Sequence, residues 1–260
     1  MTAVAAYDLE RTRREARLAA IEHHLELAST NDRGMARGAE ESPPLPLLVL
    51  ADRQTAGRGR GGNRWWSAEG SAAFSLLTAW PEVSSERRSQ VALAAGLAVA
   101  RAVEDLVPSS VPLLKWPNDV YLLGRKACGI LVEVPPRRPG RVVIGIGVNV
   151  NNSFSAAPEE LQRTAIALCD IAGEDLPLTD VLLAILARLR EELESFATDP
   201  GGLAERWRTR CLLAGRVVEL SHGERTTTGL CAGIDESGAL VLDTEAGPQR
   251  FIAGTIRSYL

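Results

Sequence analysis

The sequence predicts an α+β protein in which a β-sheet is backed by helices and is followed by a small β-barrel. Three observations support this fold class. Short apolar runs bounded by Gly, Pro and Asn turns fill much of the region from 47 to 148. Two long stretches, within 88–107 and 182–196, repeat apolar residues at helical spacing. From residue 214 onward the chain consists of short β-rich runs separated by glycine turns.

The main part of the chain contains the longer elements. Residues 9–28 are rich in Ala, Leu, Glu and Arg and lack Gly and Pro, which predicts a helix. The helix expected over 88–107 has several alanines on its apolar face, and small side chains favour close packing on a sheet. A second long helix is expected over 182–196, and a shorter one over 203–211. The expected strands are apolar and end at turn residues: 47–51, 73–80, 113–116, 120–123, 129–134 and 142–148.

The pattern changes after Ala214-Gly215, which predicts a domain boundary near residue 213. The runs that follow are short and β-rich: 216–220, 226–234, 239–243 and 249–252. Short antiparallel strands joined by tight glycine turns are typical of a small barrel. We therefore expect a main domain, residues 1–213, and a C-terminal β-barrel domain, residues 214–260.

Composition and charge limit the possible function classes. Apolar residues make up 45% of the chain and charged residues 24%, as in soluble globular proteins. The formal net charge of −4 argues against holding nucleic acid by bulk electrostatics, although a local basic site stays possible. The spacing of Cys128, Cys169, Cys211 and Cys231 suits neither a disulfide framework nor a zinc site. A charged N-terminus without a long apolar run predicts a cytoplasmic protein that does not enter a membrane.

The most informative stretch is Gln-Thr-Ala-Gly-Arg-Gly-Arg-Gly-Gly at 54–62, termed here the Gly-Arg loop. Its glycines allow backbone N–H groups to approach a ligand, while Arg58 and Arg60 supply planar, permanently charged donors. These groups suit a phosphate or a carboxylate, although the Gly-Lys-Ser/Thr ending of a Walker loop is absent. By itself the pattern leaves three interpretations open: a small-anion site, an RNA-binding arginine–glycine segment, and a solvated turn.

Two further motifs carry polar groups at strand ends. Lys-Trp-Pro-Asn-Asp at 115–119, followed by Gly124-Arg125-Lys126, would place cations and a metal-binding carboxylate around one phosphate. From these residues alone, a plain hairpin with polar turns is the alternative. The run 143–151 alternates glycine within an apolar strand, so either a ligand or another part of the chain approaches one face closely.

In combination these segments resemble the biotin–protein ligases, in order and in spacing. The motifs that carry the resemblance are Ser29-Thr30-Asn31, Gly57–Gly62, Lys115–Asp119, Gly124–Lys126, Gly129–Leu131 and Gly147–Asn149. The resemblance includes the short β-rich runs at the C-terminal end. It implies a class II synthetase-like catalytic domain, with a mixed β-sheet backed by helices, followed by an SH3-like barrel.

The resemblance implies a pocket for biotin. Ser29, Thr30 and Gln54 would bond the ureido ring, because a compact bicycle with one polar edge needs a few fixed hydrogen bonds in an apolar cleft. By the same resemblance, further residues are expected at biotin: Asn31, Gly57, Arg58, Gly59, Arg60, Lys126 and Gly129.

The resemblance also implies that ATP activates biotin, giving biotinyl-AMP and pyrophosphate. Cations must offset the repulsion between the biotin carboxylate and the α-phosphate, and Lys126, Arg60 and Lys115 are the expected catalytic residues. Asp119, with Asn118, would hold Mg²⁺. The residues expected at ATP are Arg58, Arg60, Trp65, Lys115, Asn118, Lys126 and Asn149, with Trp65 stacked on adenine and Arg257 as a candidate from the barrel.

In the second step, biotin would pass to a lysine of a biotin carboxyl carrier protein domain of a carboxylase. The mixed anhydride is already reactive, so the expected role of the Gly-Arg loop is to shield it from water. Some relatives carry an N-terminal DNA-binding domain, but 28 residues precede Ser29, so neither DNA binding nor a repressor role is expected. The sequence leaves open whether the protein is a monomer or a homodimer.

Two alternatives remain at this point. A lipoate–protein ligase or an octanoyltransferase shares the general catalytic fold, but the Gly-Arg loop with Trp65-Trp66 and the motif at 115–119 favour biotin. The four cysteines also lie outside these motifs, where an acyl-thioester would be needed. A nucleic-acid-binding module built on the Gly-Arg loop belongs to a different class, and the acidic balance of the chain counts against it.

Overall fold

The computed structural model describes residues 7–80, 85–199 and 201–260. The helices in these ranges are α1 (Leu9–Glu15), α2 (Thr30–Ala39), α3 (Ser85–Leu106), α4 (Glu159–Thr164), α5 (Cys169–Ala172), α6 (Leu178–Thr198) and α7 (Gly202–Arg208), and a 3₁₀ turn covers Arg60–Gly62. The strands are β1 (Ala20–Leu27), β2 (Leu47–Gln54), β3 (Ala72–Ala79), β4 (Leu113–Lys115), β5 (Asp119–Leu122), β6 (Arg125–Glu133), β7 (Arg141–Val148), β8 (Val217–His222), β9 (Arg225–Ile234), β10 (Leu240–Thr244), β11 (Gly247–Phe251) and β12 (Thr255–Tyr259).

Seven strands form a mixed sheet with the order β1-β2-β3-β7-β6-β5-β4. β1 and β2 run parallel, with Leu27 opposite Gln54, whereas the other neighbouring pairs are antiparallel. Because parallel strands end at the same edge of a sheet, the segments that follow β1 and β2 start side by side. This edge positions the first group of candidate site residues.

Helix α3 backs the sheet, and α6 packs against α3. α3 also contacts β4, β5 and β6, so it is enclosed on several sides. Its alanines at 94, 95, 98 and 102 are fully buried. Small side chains therefore allow the close approach to the sheet that the sequence predicts.

Strands β8–β12 form a second, antiparallel sheet in the order β11-β10-β9-β8-β12, termed here the C-terminal sheet. The indole Nε1 of Trp116 donates to the carbonyl of Gly238 at 3.1 Å, and Gln90 Nε2 donates to the carbonyl of Glu236 at 3.2 Å. These bonds hold turns of the C-terminal sheet against the main sheet and α3. The predicted fold class is confirmed, while the SH3-like form of the C-terminal sheet stays a prediction.

The predicted helix over 9–28 is wrong beyond Glu15. Arg17 adopts a left-handed φ of 56°, and the N–H of Leu18 donates to the carbonyl of Arg13, which closes the helix. The following residues form β1 and pair with the buried strand β2. Helix propensity differs by only about 0.7 kcal/mol per residue among ordinary residues, so tertiary pairing outweighs it.

The described residues also bear on three structural features: a membrane span, disulfide bonds and a metal-binding cluster. Within them, every helix is too short or too polar to cross a membrane. The four cysteines are free thiols. Across the same ranges, no cluster of three or more His, Cys, Asp or Glu side chains is arranged to hold a metal ion by itself.

Glu192 on α6 joins three helices and generates a prediction about stability. Its side chain is 1% exposed and accepts hydrogen bonds from Arg101 of α3 at 2.7 Å and from Arg206 of α7 at 3.3 Å. Replacing Arg101 by Met keeps an apolar stem but removes one charged partner of a buried carboxylate. Since Arg101 is itself about a third exposed, we expect the free energy of unfolding in urea to fall by about 2 kcal/mol, below the range for fully buried pairs.

Arg163→Met is the matched control, because it removes the exposed pair between Arg163 and Glu159. We expect this variant to change the free energy of unfolding by less than about 0.5 kcal/mol. Equal changes in the two variants would show that the buried ion pair of Glu192 contributes no more to the free energy of unfolding than the exposed pair does.

Candidate active site

A cleft of about 650 Å³ lies where the mixed sheet meets the C-terminal sheet. Most of the site residues predicted from the sequence line it: Ser29, Thr30, Asn31, Gln54, Arg58, Gly59, Arg60, Trp65, Lys115, Asn118, Asp119, Lys126 and Gly129. Gly57 and Asn149 are buried and lie outside this lining. The C-terminal sheet forms another wall through Ser221, His222, Gly223 and residues 253–257.

The ends of β1 and β2 form a polar cradle in the cleft. Ser29 caps α2 and accepts from the N–H of Asp32 at 3.3 Å. The carbonyl oxygen of the Gln54 side chain accepts from the backbone N–H of Thr30 at 2.7 Å and from its hydroxyl at 3.2 Å. The hydroxyl of Ser75, fully buried on β3, lies 2.9 Å from the Thr30 hydroxyl. These contacts fix the orientation of the side chains of Ser29, Thr30 and Gln54 within the protein itself.

Charged groups neighbour this cradle. Asn31 donates through Nδ2 to Glu133 at 2.6 Å, and its Oδ1 accepts from Ser75. Arg58 forms an ion pair with Asp32 at 2.8 Å and a bidentate contact with Glu133. Arg58 is therefore held by two carboxylates, and the loop that carries it is tied to α2 and β6.

Glycines on adjacent strands make room for an indole ring. A side chain at Gly147 would collide with the ring of Trp65, and a Cβ at Gly129 would lie 3.2 Å from Trp65 Cζ3. A side chain at Gly145 would likewise collide with Asn31. The alternating glycines of β7 therefore receive side chains of the same chain, and both also line the cleft. The indole Nε1 of Trp65 is buried without a hydrogen-bond partner.

Cations gather at the hairpin formed by β4, β5 and β6. Lys115 and Asp119 are register partners, and Lys126 Nζ lies 2.7 Å from Asp119 Oδ1. That contact has the distance of an ion pair but not the direction of a hydrogen bond, and Asp119 Oδ1 is buried without a hydrogen-bond donor. Burial lowers the pKa of Lys115, and the nearby charge of Lys126 lowers it further, while Asp119 opposes both.

Two asparagines that the sequence places in the nucleotide site support the backbone around these cations. Asn118 donates through Nδ2 to the carbonyl of Ile130 at 2.8 Å and also lines the cleft. Asn149 donates through Nδ2 to the carbonyl of Lys126 at 3.2 Å and is 3% exposed. Asn149 therefore contacts the strand that carries Lys126 rather than the cleft itself.

Arg60 connects the Gly-Arg loop to the C-terminal sheet. Its NH1 donates to the carbonyl of Gly254 at 3.0 Å, and its guanidinium lies 6.0 Å from the ring centroid of Trp116. Burial lowers the pKa of Arg60, and the charge of Asp119 opposes this shift. Arg58 is held by two carboxylates and Arg60 by a carbonyl, so both cations of the loop have partners within the protein, unlike those of a solvated RNA-binding segment.

The cleft thus joins a fixed polar cradle to a cluster of cations around one carboxylate. Neutral donors and acceptors suit a small polar ring, and the cations suit phosphate and carboxylate groups. Sequence reasoning missed Ser75, Glu133, Tyr121 and Tyr259. Ser75 is a serine inside an apolar strand, which is a weak signal. Tyr121 lies two residues beyond the motif at 115–119, whereas Tyr259 comes from the far end of the chain.

Comparison with known proteins agrees with this geometry. Residues 27–151 match the Biotin/lipoate A/B protein ligase family, and residues 214–257 match the Biotin protein ligase C terminal domain. The biotin–[acetyl-CoA-carboxylase] ligase of Mycobacterium tuberculosis is 34% identical over 83% of this chain and 80% of its own length. The bifunctional ligase/repressor BirA of Bacillus subtilis is 33% identical over 84% of this chain and 68% of its own length.

A solved structure extends the likeness to three dimensions. The biotin protein ligase of Aquifex aeolicus, in complex with biotin and ATP, matches with a TM-score of 0.80 and 33% identity. The match covers 93% of this chain and 98% of that protein. With both segments matched to this family, relatives more than 30% identical and the cleft lined by the motifs that carry the resemblance, the chain belongs to the biotin protein ligase family.

Proposed function

We propose that this biotin ligase joins the biotin carboxylate to the α-phosphate of ATP, releasing pyrophosphate, and then transfers biotin to a lysine of a biotin carboxyl carrier protein domain. The observation that carries the proposal is the meeting, in one cleft, of the cradle at Ser29, Thr30 and Gln54 with the cations Arg60, Lys115 and Lys126. Biotin has a polar ring at one end and a carboxylate at the other. A site of this shape can hold both ends.

The cradle is proposed to bind the ureido ring. Because the Gln54 carbonyl oxygen is taken by Thr30, the amide N–H groups of Gln54 are left to donate to a ligand carbonyl. The Ser29 hydroxyl accepts from the backbone and retains its own O–H as a donor. The remaining residues assigned to the biotin pocket are Asn31, Gly57, Arg58, Gly59, Arg60, Lys126 and Gly129.

The adenylation step forms a bond between a carboxylate oxygen and the α-phosphorus, and it breaks the bond to pyrophosphate. Lys126, Arg60 and Lys115 are proposed as the catalytic residues, because two anions approach each other and negative charge accumulates on the leaving group. Trp65 would stack on adenine. The other residues assigned to ATP are Arg58, Asn118 and Asn149, with Asn149 acting through the Lys126 backbone and Arg257 added from the C-terminal sheet.

The residues around Asp119 fit a magnesium ion that arrives with the nucleotide. A buried carboxylate oxygen that accepts no hydrogen bond is a suitable ligand, and Mg²⁺ commonly takes one or two carboxylates together with substrate phosphates. Asp119, with Asn118 beside it, would hold the ion. When bound, Mg²⁺ would offset charge on the phosphates.

The transfer step is aminolysis of the anhydride. A neutral lysine amine attacks the biotinyl carbonyl carbon, an amide forms as the amine releases one proton to water, and AMP leaves with the electrons of the broken C–O bond. The printed name of the Mycobacterium tuberculosis relative supports a carboxylase carrier as the acceptor. Arg60, held by Gly254 and Trp116, would keep the Gly-Arg loop over the anhydride until the acceptor arrives.

Cys128 bears on the octanoyltransferase alternative. It lies on β6 close to Lys126, but it is fully buried, and burial raises the pKa of its thiol well above the ordinary value. A thiol kept protonated in the sheet is a poor acyl acceptor. The match of residues 214–257 to a biotin protein ligase domain also favours biotin, and it supports a boundary between domains 1–213 and 214–260.

Pyrophosphate exchange into ATP tests the adenylation step directly. With Mg²⁺ present, we expect exchange that depends on biotin, and no exchange with lipoate or octanoate in its place. The expectation follows from the hydrogen-bonding groups of the cradle, which suit the ureido ring of biotin but not the apolar dithiolane ring of lipoate or the plain chain of octanoate. Exchange supported by lipoate and not by biotin would overturn the substrate assignment.

Arg60→Gly removes the charge-assisted bond to the Gly254 carbonyl and the contact with Trp116. We expect the loss of about 2 kcal/mol of loop stabilisation, so that biotinyl-AMP dissociates roughly thirtyfold faster. The released intermediate should label lysines of bystander proteins, which a blot for protein-bound biotin detects. Arg137→Gly is the matched control: Arg137 is exposed and already has a positive φ that glycine adopts readily.

Labelling of bystander proteins should stay at its basal level in Arg137→Gly. Unchanged retention of the intermediate in Arg60→Gly would remove Arg60 from the shielding role, whereas similar leakage from both variants would indicate a general effect of losing an arginine.

A further inference from the structure

Two tyrosines from different sheets face the side chain of Lys115. Its Nζ lies 5.3 Å from the ring centroid of Tyr121 on β5 and 5.1 Å from that of Tyr259 on β12. It also lies 3.4 Å from the Tyr121 hydroxyl. Distances below about 6 Å between an ammonium and a ring centroid are those of a cation–π contact. The ammonium of Lys115 therefore contacts one aromatic ring from the main sheet and one from the C-terminal sheet.

The backbone of Tyr259 is held by the C-terminal sheet, where it pairs with Val218 of β8. Its ring has a second cation as neighbour: the guanidinium of Arg216 lies 5.4 Å from it. Lys115 lines the cleft, whereas Arg216 lies outside its lining. The same ring thus contacts one cation that belongs to the candidate active site and another that does not.

Burial makes the ammonium of Lys115 less favourable than in water. It lowers the pKa of Lys115, while the charge of Asp119 opposes this shift and that of Lys126 adds to it. The negative face of an aromatic ring stabilises a desolvated cation without the proton transfer that a carboxylate partner allows. Two rings also restrict a four-carbon chain with many rotamers, so less conformational freedom is lost when a phosphate binds.

We propose that Tyr259 is a positioning residue for adenylation: its ring, supplied by the C-terminal sheet, fixes the Lys115 ammonium at the phosphates of ATP. The role of Lys115 at the phosphates is part of the proposed function, and this proposal rests on it. Tyr259 acts through Lys115 and does not itself touch the substrate. The C-terminal sheet thereby contributes to the chemistry of a lysine that belongs to the main sheet.

Other roles for Tyr259 make different demands on its side chain. A packing role would require apolar volume near β8, and it would be independent of Lys115. A role for the hydroxyl would require oxygen at that position. A cation–π role requires an electron-rich ring and Lys115 together, so the three roles predict different sensitivities to substitution.

A double-mutant cycle in the full chain separates these roles. The measured quantity is kcat/KM for ATP in biotin-dependent pyrophosphate exchange, for Tyr259→Leu and Lys115→Met alone and combined. We expect Tyr259→Leu to lower kcat/KM roughly tenfold, and to lower it less than about twofold when Lys115 is already Met. The KM for biotin should change less than about twofold, because the cradle follows β1 and β2, at the opposite edge of the main sheet from β4, which carries Lys115.

Two single variants complete the comparison. Tyr259→Phe retains the ring and should stay within about twofold of the unaltered protein. Arg216→Met removes the cation that contacts the Tyr259 ring outside the cleft lining and should also stay within about twofold. A loss in Tyr259→Phe equal to that in Tyr259→Leu would overturn the role of the ring, and an undiminished loss in the Lys115→Met background would overturn action through Lys115.

A second measurement keeps the test valid if Tyr259→Leu unfolds. Phenylalanine analogues with one, two and three ring fluorines at position 259 retain the shape of the ring but progressively weaken its negative face. We expect kcat/KM for ATP to fall stepwise along this series in the Lys115 protein and to stay level in Lys115→Met. A level series with Lys115 present would refute the proposal, whereas absence of biotin-dependent exchange in the unaltered protein would refute the proposed function instead.

Discussion

Repulsion among half-buried cations is the constraint on which the rest of the site depends. Lys115, Lys126 and Arg60 converge on Asp119, and a single carboxylate cannot neutralise all three. Each cation also lies over an aromatic ring: Arg60 over Trp116, Lys126 over Trp65, and Lys115 over Tyr121 and Tyr259. Rings stabilise cations without cancelling their charge, so the cluster remains available to attract anions.

The contact between Lys126 and Trp65 requires space for the indole ring on the sheet. Trp65 can lie against β6 and β7 because Gly129 and Gly147 have no side chains there, and Lys126 then reaches over its ring. Asn149 holds the backbone at Lys126 by donating a hydrogen bond to its carbonyl. Gly129 and Gly147 are thus required because an aromatic ring approaches the backbone closely. The ring that they admit in turn contacts the cation of Lys126.

Sequence reasoning predicted six of the seven strands of the main sheet and the two long helices, and most of the site residues it proposed line the cleft, because those features depend on local periodicity and on contiguous motifs. It failed at 16–28, where pairing of β1 with β2 overrides helix propensity. It also missed Ser75 and Tyr259, which reach Thr30 and Lys115 across 45 and 144 residues of chain, a separation that no local pattern reports. The sequence therefore predicted the cradle residues Ser29, Thr30 and Gln54, but it did not predict the buried Ser75 beside them.

The residues that join the two sheets are also residues of the cation cluster or of the rings that contact its cations. Trp116, whose ring faces Arg60, donates from its indole to Gly238, and Arg60 donates to Gly254. Both acceptors are turn carbonyls of the C-terminal sheet, and Tyr259 comes from its edge strand. Docking of the C-terminal sheet therefore orders the loop, the ring beneath the arginine and the ring beside the lysine together. Separating the sheets would leave the cations with their mutual repulsion and fewer of the groups that stabilise them.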